Sequence, residues 1–278
     1  MALEPDDSHS GAAVQRSSVF SSDELTGALA AHEFFLVYQP TFDLQTGAFA
    51  GVEALLRWRH PARGVISPSE FIDDLETSGQ IVPVGKWSLD AACVQGAAWH
   101  AKGYRFAVSV NVSAKQFDSS TLTDDVGSAL DASAFDASQL VLEFAQTTLT
   151  RDPATASSRL GEFKTLGVRL AVDDFAPERA TISDLAAYPI DVVKVERAFI
   201  ATATGAAGDA SVLHELVQRA KDRHLQVIVS GIEDVDQRRF LQIEQVAIGQ
   251  GFLLSTPHEA EEIDRLLENF AIFSGEPL

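Results

Sequence analysis

A (β/α)8 barrel with one antiparallel strand near its start is the fold this 278-residue sequence predicts. Three observations point there. Runs of β-branched and aromatic residues alternate with helical stretches along the chain, about eight times over. The first two runs are joined by the turn L-Q-T-G (44–47), too short for a crossover helix, so they pair antiparallel. Polar side chains then fall at the C-terminal ends of the runs, the end where barrel enzymes carry their chemistry. A doubly wound open sheet is the second choice on this pattern.

The elements follow in order. Ser21-Ser22-Asp23-Glu24 has capping-box spacing and predicts a helix to about His32. F-F-L-V-Y (34–38) and A-F-A-G-V-E-A-L-L-R-W (48–58) are strands, and Ser67-Pro68 opens a helix. From there the rhythm is regular. Helices are expected at Trp87–Lys102, Leu122–Leu130, Ala154–Leu166, Ile182–Ala187, around the apolar stripe Val212, Leu213, Leu216, Val217 and Ala220, at Val235–Gln242 and at Glu259–Phe270. Strands are expected at 106–112, 140–144, 168–173, 191–195, 225–230 and 246–248. Residues 1–20, acidic and Ser-rich, read as a disordered tail, and 21–278 as a single domain.

Composition narrows the function. A net charge of −19 and a pI near 4.6 argue against a nucleic-acid polymer or an anionic membrane surface as the main partner. Cys93 is the sole cysteine, which excludes an internal disulfide and a multi-thiolate metal site and fits a reducing compartment. No stretch has the apolar length of a spanning helix, so membrane insertion is not expected. The N-terminus lacks the apolar core of a signal peptide.

The strand ends carry the candidate chemistry. Asn111, Glu143, the pair Asp173-Asp174, Lys194, Ser230 and Gln250 each lie at or just after the end of a strand, and Glu53 sits inside the second strand. Taken singly, each has a plain structural reading: a helix cap, a rim charge, or a lysine snorkelling outward between helices. Those readings do not predict the same end of so many strands. Adjacent carboxylates such as Asp173 and Asp174 repel unless a positive charge stands between them. Glu, Asn, Glu, Asp and Asp form an oxygen-rich set suited to Mg²⁺ or Mn²⁺, and the seven histidines show no paired spacing for zinc. A lysine beside such a set suits a phosphate or a bound water. The residues alone therefore indicate a metal-dependent site for a phosphate ester.

From about Leu25 to Leu267 the chain resembles the EAL domain, the cyclic di-GMP phosphodiesterase family. The resemblance is carried by Y-Q-P (38–40), E-A-L-L-R-W-R-H-P (53–61), P-S-E-F-I (68–72), N-V-S (111–113), L-E-F (142–144), D-D-F (173–175), K-V-E (194–196), G-I-E (231–233) and Q-G-F (250–252), in order and at family-like spacing. It implies a barrel with one antiparallel strand and hydrolysis of one phosphodiester of cyclic di-GMP, two metals sharing the attacking water and the in-line displacement. Glu53, Asn111, Glu143 and Asp173 match the ligands of one Mg²⁺ or Mn²⁺, and Asp174 a ligand of the second. Lys194 matches the residue that orients the attacking water, and Gln250 one that supports the metal-water site. Gln39, Glu53, Leu55 and Arg57 match the dinucleotide contacts. Together with the lone cysteine, the resemblance implies a bacterial cytoplasm.

Three departures from the family pattern bear on activity. Ser230-Gly231-Ile232-Glu233 stands where the family has Glu-Gly-Val-Glu, so the glutamate assigned to the second metal and to water activation is Ser230, a neutral and poor base. Glu233 matches the family's other, structural glutamate. Gln146 replaces a glutamate that anchors the loop after the paired aspartates. That loop reads Asp-Asp-Phe-Ala-Pro-Glu instead of Asp-Asp-Phe-Gly-Thr-Gly, and Ala176 and Pro177 cannot take the conformations glycine allows. The sequence thus predicts a degenerate EAL domain that binds cyclic di-GMP with little or no hydrolysis. The alternatives are a protein-interaction module that has lost the nucleotide, its altered loop at Ala176, Pro177 and Glu178 facing a protein partner, and a slow phosphodiesterase. A homodimer is compatible with each.

Overall fold

Register and side-chain alternation decide this architecture. The computed structural model describes residues 19–177, 181–203 and 207–274. Nine strands form one sheet: β1 (Phe34–Asp43), β2 (Phe49–His60), β3 (Gly64–Ile66), β4 (Ala107–Val112), β5 (Leu140–Ala145), β6 (Arg169–Phe175), β7 (Val192–Val195), β8 (Gln226–Val229) and β9 (Ile248–Gly249). β1 pairs antiparallel with both β2 and β9, which closes the ring. β2, β4, β5, β6, β7, β8 and β9 run parallel to one another in that order, and β3 is a short antiparallel addition to β2 outside the ring. This is the (β/α)8 barrel with one antiparallel strand that the sequence predicts.

The helices lie outside the ring: α1 (Ser22–Ala30), α2 (Pro68–Ser78), α3 (Ile81–Ala101), α4 (Ala114–Asp118), α5 (Leu122–Ser133), α6 (Gln146–Thr150), α7 (Pro153–Thr165), α8 (Arg197–Ala203), α9 (Ala207–Asp222), α10 (Val235–Ile243) and α11 (Ala260–Ser274). Ser21 caps α1, its hydroxyl accepting from Glu24 N at 3.2 Å. Four expectations shift, the first being the helix expected at Ile182–Ala187, which is a single 3-10 turn over Ile182–Leu185. The helix expected from Trp87 begins at Ile81, because Pro83 falls within the first turn, where no amide hydrogen is needed. The last strand is displaced from 246–248 to Ile248–Gly249. Residues 19 and 20 are not tail: both amides donate to Asp74 Oδ2, and Phe20 is 3% exposed, packed 4.6 Å from the Trp58 ring. Residues 1–18, the rest of the expected tail, lie outside the described residues.

Alternation along the strands separates two cores. Val108, Val110, Leu142, Phe144, Leu170, Val172, Val193 and Val195 face the helices and belong to the main apolar cluster. Their neighbours face the barrel axis, where Val141, Ala171, Val192, Ile228 and Ile248 form a smaller cluster with Ala50 and Ala107. Lys194 is in phase with Val192, so it points into the barrel and not outward between helices. The small inward residues leave a cavity of about 60 Å³ beneath the polar cluster, with Arg169 bonded to Gln226 at 2.8 Å on its wall.

Cys93 is fully buried on α3, and burial, with Asp90 adding to it, pushes its thiol up to about 12. A thiol-specific chromogenic reagent at pH 8 should leave the native protein unlabelled and titrate one thiol after denaturation. Rapid native labelling would mean that α3 opens on the time scale of the assay.

Candidate active site

β2 sets the first part of the site. Glu53, Leu55 and Arg57 alternate onto one face of this strand, and Gln39 stands opposite Glu53 on β1. Glu53 is the hub. Its Oε1 accepts from Asn111 Nδ2 at 2.6 Å, and its Oε2 accepts from Lys194 Nζ and Gln250 Nε2, each at 3.0 Å. Gln250 also donates to Gln39 Oε1 at 3.2 Å, and Gln39 donates to the Ser255 carbonyl at 3.2 Å. The parallel register places Asn111 beside Glu143, and Ala145 beside Asp173. Lys194 also pairs with Glu143 and lies 3.6 Å from Asp173 Oδ1.

The paired aspartates owe their positions to an irregularity. The β6–β7 register shifts between Val172 and Phe175, and Asp174 adopts a left-handed φ of 53°. Asp173 and Asp174 thereby both reach the site, although successive residues of a regular strand point to opposite faces. Asp174 is a residue type that tolerates this backbone region. The positive φ therefore falls within D-D, one residue before Phe175, and not at Ala176 or Pro177. Ala176 is buried and Pro177 half-buried; Glu178 lies outside the described residues.

Glu53, Glu143 and Asp173 surround the buried ammonium of Lys194, itself 3% exposed, and a fourth carboxylate, Asp174, lines the same cleft. Burial alone would lower the lysine, but Glu143, Glu53 and Asp173 hold it well above its ordinary range. Burial would raise Glu53, yet Lys194, Asn111 and Gln250 keep it below the usual carboxylate value. Glu143 goes the other way: burial, then Glu53 and Asp173, push it up to about 8 against the pull of Lys194. Burial and Asp173 also raise Asp174. The cluster thus holds more carboxylate than one ammonium satisfies.

That surplus bears on a cation. Among the described residues no three His, Cys, Asp or Glu side chains stand close enough together to hold an ion as placed. Lys194 lies between Glu53 and Glu143 instead. The donor chemistry nevertheless fits a hard divalent ion: every candidate donor is a carboxylate or amide oxygen, and a further positive charge would relieve the raised Glu143 and Asp174.

The cluster forms a ridge between two depressions. On one side an open cleft of about 240 Å³ is lined by Gln39, Asp173, Asp174, Lys194, Ser230 and Gln250, among others. On the other, a more apolar groove of about 320 Å³ takes in Leu55, Asn111, Glu143, Pro68 and Ile72. Arg57 stands on the same face of β2, half-buried, with its guanidinium turned to the Leu56 carbonyl at 2.7 Å. Ser230 follows β8 directly and donates its hydroxyl to the Val195 carbonyl at 3.1 Å. Gln146 is the first residue of α6. Three wall residues carried no signal from strand ends: Phe252, and Arg197 paired with Glu233. Arg197 lies three residues after Lys194, a spacing that could have drawn attention to it.

The EAL domain family profile matches residues 22–257. Over 241 residues the chain is 34% identical to the bifunctional diguanylate cyclase/cyclic di-GMP phosphodiesterase MucR of Pseudomonas aeruginosa, covering 86% of this chain and 35% of MucR. It is also 34% identical over 241 residues to cyclic di-GMP phosphodiesterase PA2567 of the same organism, covering 86% of this chain and 41% of that protein. The chain thus spans well under half the length of these relatives. A structure of the MucR phosphodiesterase in complex with c-di-GMP superposes with a TM-score of 0.82 at 34% identity, over 87% of this chain and 98% of that one. The EAL enzyme Bd1971, in its cAMP- and cyclic-di-GMP-bound form, gives a TM-score of 0.81 at 26% identity, over 88% of this chain and 67% of that one. On the profile match, the shared sequence and the shared barrel, the chain belongs to the EAL domain family.

Proposed function

We propose that this chain binds cyclic di-GMP and hydrolyses it little or not at all. Ser230 carries the reading. It stands on the wall of the cleft beside Asp173, Asp174 and Lys194, where the family pattern has a glutamate. Its hydroxyl donates to the Val195 carbonyl and, being neutral and a poor base, brings neither a negative charge nor a general base to the cleft. Gln146, Ala176 and Pro177 depart from the family pattern around the same aspartates. The nucleotide-side residues remain: Gln39, Glu53 and Gln250 are bonded to one another, and Leu55 and Arg57 share the Glu53 face of β2.

The metal reading follows the donors. Glu53, Asn111, Glu143 and Asp173 would hold one Mg²⁺ or Mn²⁺, and Asp174 would border a second position that Ser230 leaves short of a ligand. A bound ion of this kind supplies Lewis-acid stabilisation of a phosphoryl oxygen. Lys194, fixed by Glu53 and Glu143, is placed to hold a water near Asp173. The signalling role, with a cytoplasmic location and a protein partner or second copy as further binding partners, belongs to this reading.

Calorimetry with cyclic di-GMP, in Mn²⁺ and then in EDTA, tests it alongside chromatography of the same sample for the linear dinucleotide. Binding without product is the expected result, and Glu53→Ala or Arg57→Ala should weaken it by at least about tenfold. Binding with steady product formation would establish a working phosphodiesterase. No binding in either buffer would move the function to a protein partner.

A further inference from the structure

Lys194 is not free to meet an incoming phosphate. It is buried and committed to Glu53 and Glu143, with Asp173 beside it. The cleft wall otherwise carries Glu53, Asp173, Asp174 and Glu233, so an anionic ligand enters a field of like charge. One other cation lines this cleft among the described residues: Arg197, at the start of α8. Its side chain is 64% exposed, and it pairs with Glu233, itself 45% exposed. Exposed pairs of this kind are held weakly, and a guanidinium can exchange a carboxylate for a phosphate with the same forked geometry.

The backbone beneath Arg197 is shaped to keep it there. Gly231, next to Ser230, has a φ of +79°. A Cβ on Gly231 would lie 2.3 Å from Arg197 Cγ and 2.6 Å from its Cβ. The arginine stem therefore lies directly over the Gly231 backbone, in space that only glycine leaves open, and its guanidinium pairs with Glu233 on the cleft wall that Ser230 also lines. We infer that Arg197 is a phosphate-binding residue of the cleft, supplying the positive charge on the Ser230 side and leaving Glu233 for a phosphodiester oxygen of the ligand. The inference rests on the nucleotide-binding reading above and gives it a means of holding an anionic dinucleotide without a second metal.

Calorimetric titration of cyclic di-GMP in EDTA, with the wild type, Arg197→Ala, Arg197→Lys and Gly231→Ala, separates the two claims. The wild-type arm reads nucleotide binding itself; silence there, in EDTA and in Mn²⁺, overturns both. If the wild type binds, Arg197→Ala should weaken binding at least about tenfold, and Arg197→Lys should recover part of the loss. Gly231→Ala, which displaces the arginine without removing it, should weaken binding in the same direction. The salt dependence of binding should fall in Arg197→Ala, a change that a purely structural role would not cause. Thermal melting checks that each variant is folded. Arg197→Ala binding within twofold of the wild type, with an unchanged salt dependence, overturns the inference and leaves nucleotide binding intact.

Discussion

Lys194→Met should destabilise the protein by about 3–5 kcal/mol in EDTA at pH 8, measured by chemical denaturation. The residue is 3% exposed and bonded to Glu53 and Glu143, which are themselves buried. Methionine fills similar space but leaves those carboxylates, and Asp173 beside them, without their ammonium. The loss should depend on pH in a definite sense. Without Lys194, the buried carboxyls titrate higher in the folded than in the unfolded chain, so the native state binds more protons. Stability then falls as pH rises above the ordinary carboxylate range, and the deficit is largest at alkaline pH and smallest in acid. If the cluster accepts a hard cation, Mg²⁺ or Mn²⁺ should return part of the stability, since an ion binding only the native state stabilises it by mass action. A variant as stable as the wild type at pH 8 in EDTA would show that Glu53 and Glu143 are already neutral there.

On the proposed reading of binding without turnover, Ser230→Glu should raise hydrolysis. The position directly follows β8 and faces Asp173, Asp174 and Lys194 across the cleft. A glutamate there restores a carboxylate within the acidic cluster and a base for water. A general base is typically worth about 10²–10⁴ in rate. Formation of the linear dinucleotide in Mn²⁺, followed by chromatography, should rise by at least about 10² over the wild type. Adding Gln146→Glu should raise it further if the loop after Asp174 is part of the defect. No product from either variant would place the block at Ala176-Pro177, and replacing A-P with G-T would be the next comparison.

Much of this architecture was legible because runs of β-branched and aromatic residues alternate with helical stretches along the chain. The strand carrying Asn111, the one holding Glu143 and the one carrying Asp173 follow directly from the composition and length of those runs. The short turn at 44–47 likewise fixes β1 as antiparallel. What was not legible depends on three-dimensional closure. A single sequence does not show whether Lys194 turns inward or outward, since Val193 and Val195 flank it on either reading. The phase of β7 against its neighbours settles it. The left-handed backbone at Asp174 left no mark, because aspartate is common in strand ends for other reasons. Arg197 and Glu233 meet across the cleft from α8 and the segment after β8, a pairing set by the barrel and not by sequence spacing. Phe20 was read as tail because its partner, Trp58, lies 38 residues away at the end of β2.

The direction of β1 has a consequence for how this domain is wired to anything joined to it. In a barrel whose first strand runs with the others, the polypeptide enters at the face opposite the chemistry. Here β1 runs against its neighbours, and Phe34, its first residue, pairs with Trp58 near the C-terminal end of β2. The chain therefore comes in over the functional face, and α1 and Phe20 pack there against Trp58. Phe20 thus stands against the end of the strand that carries Glu53, Leu55 and Arg57, on the side of the barrel that holds the site.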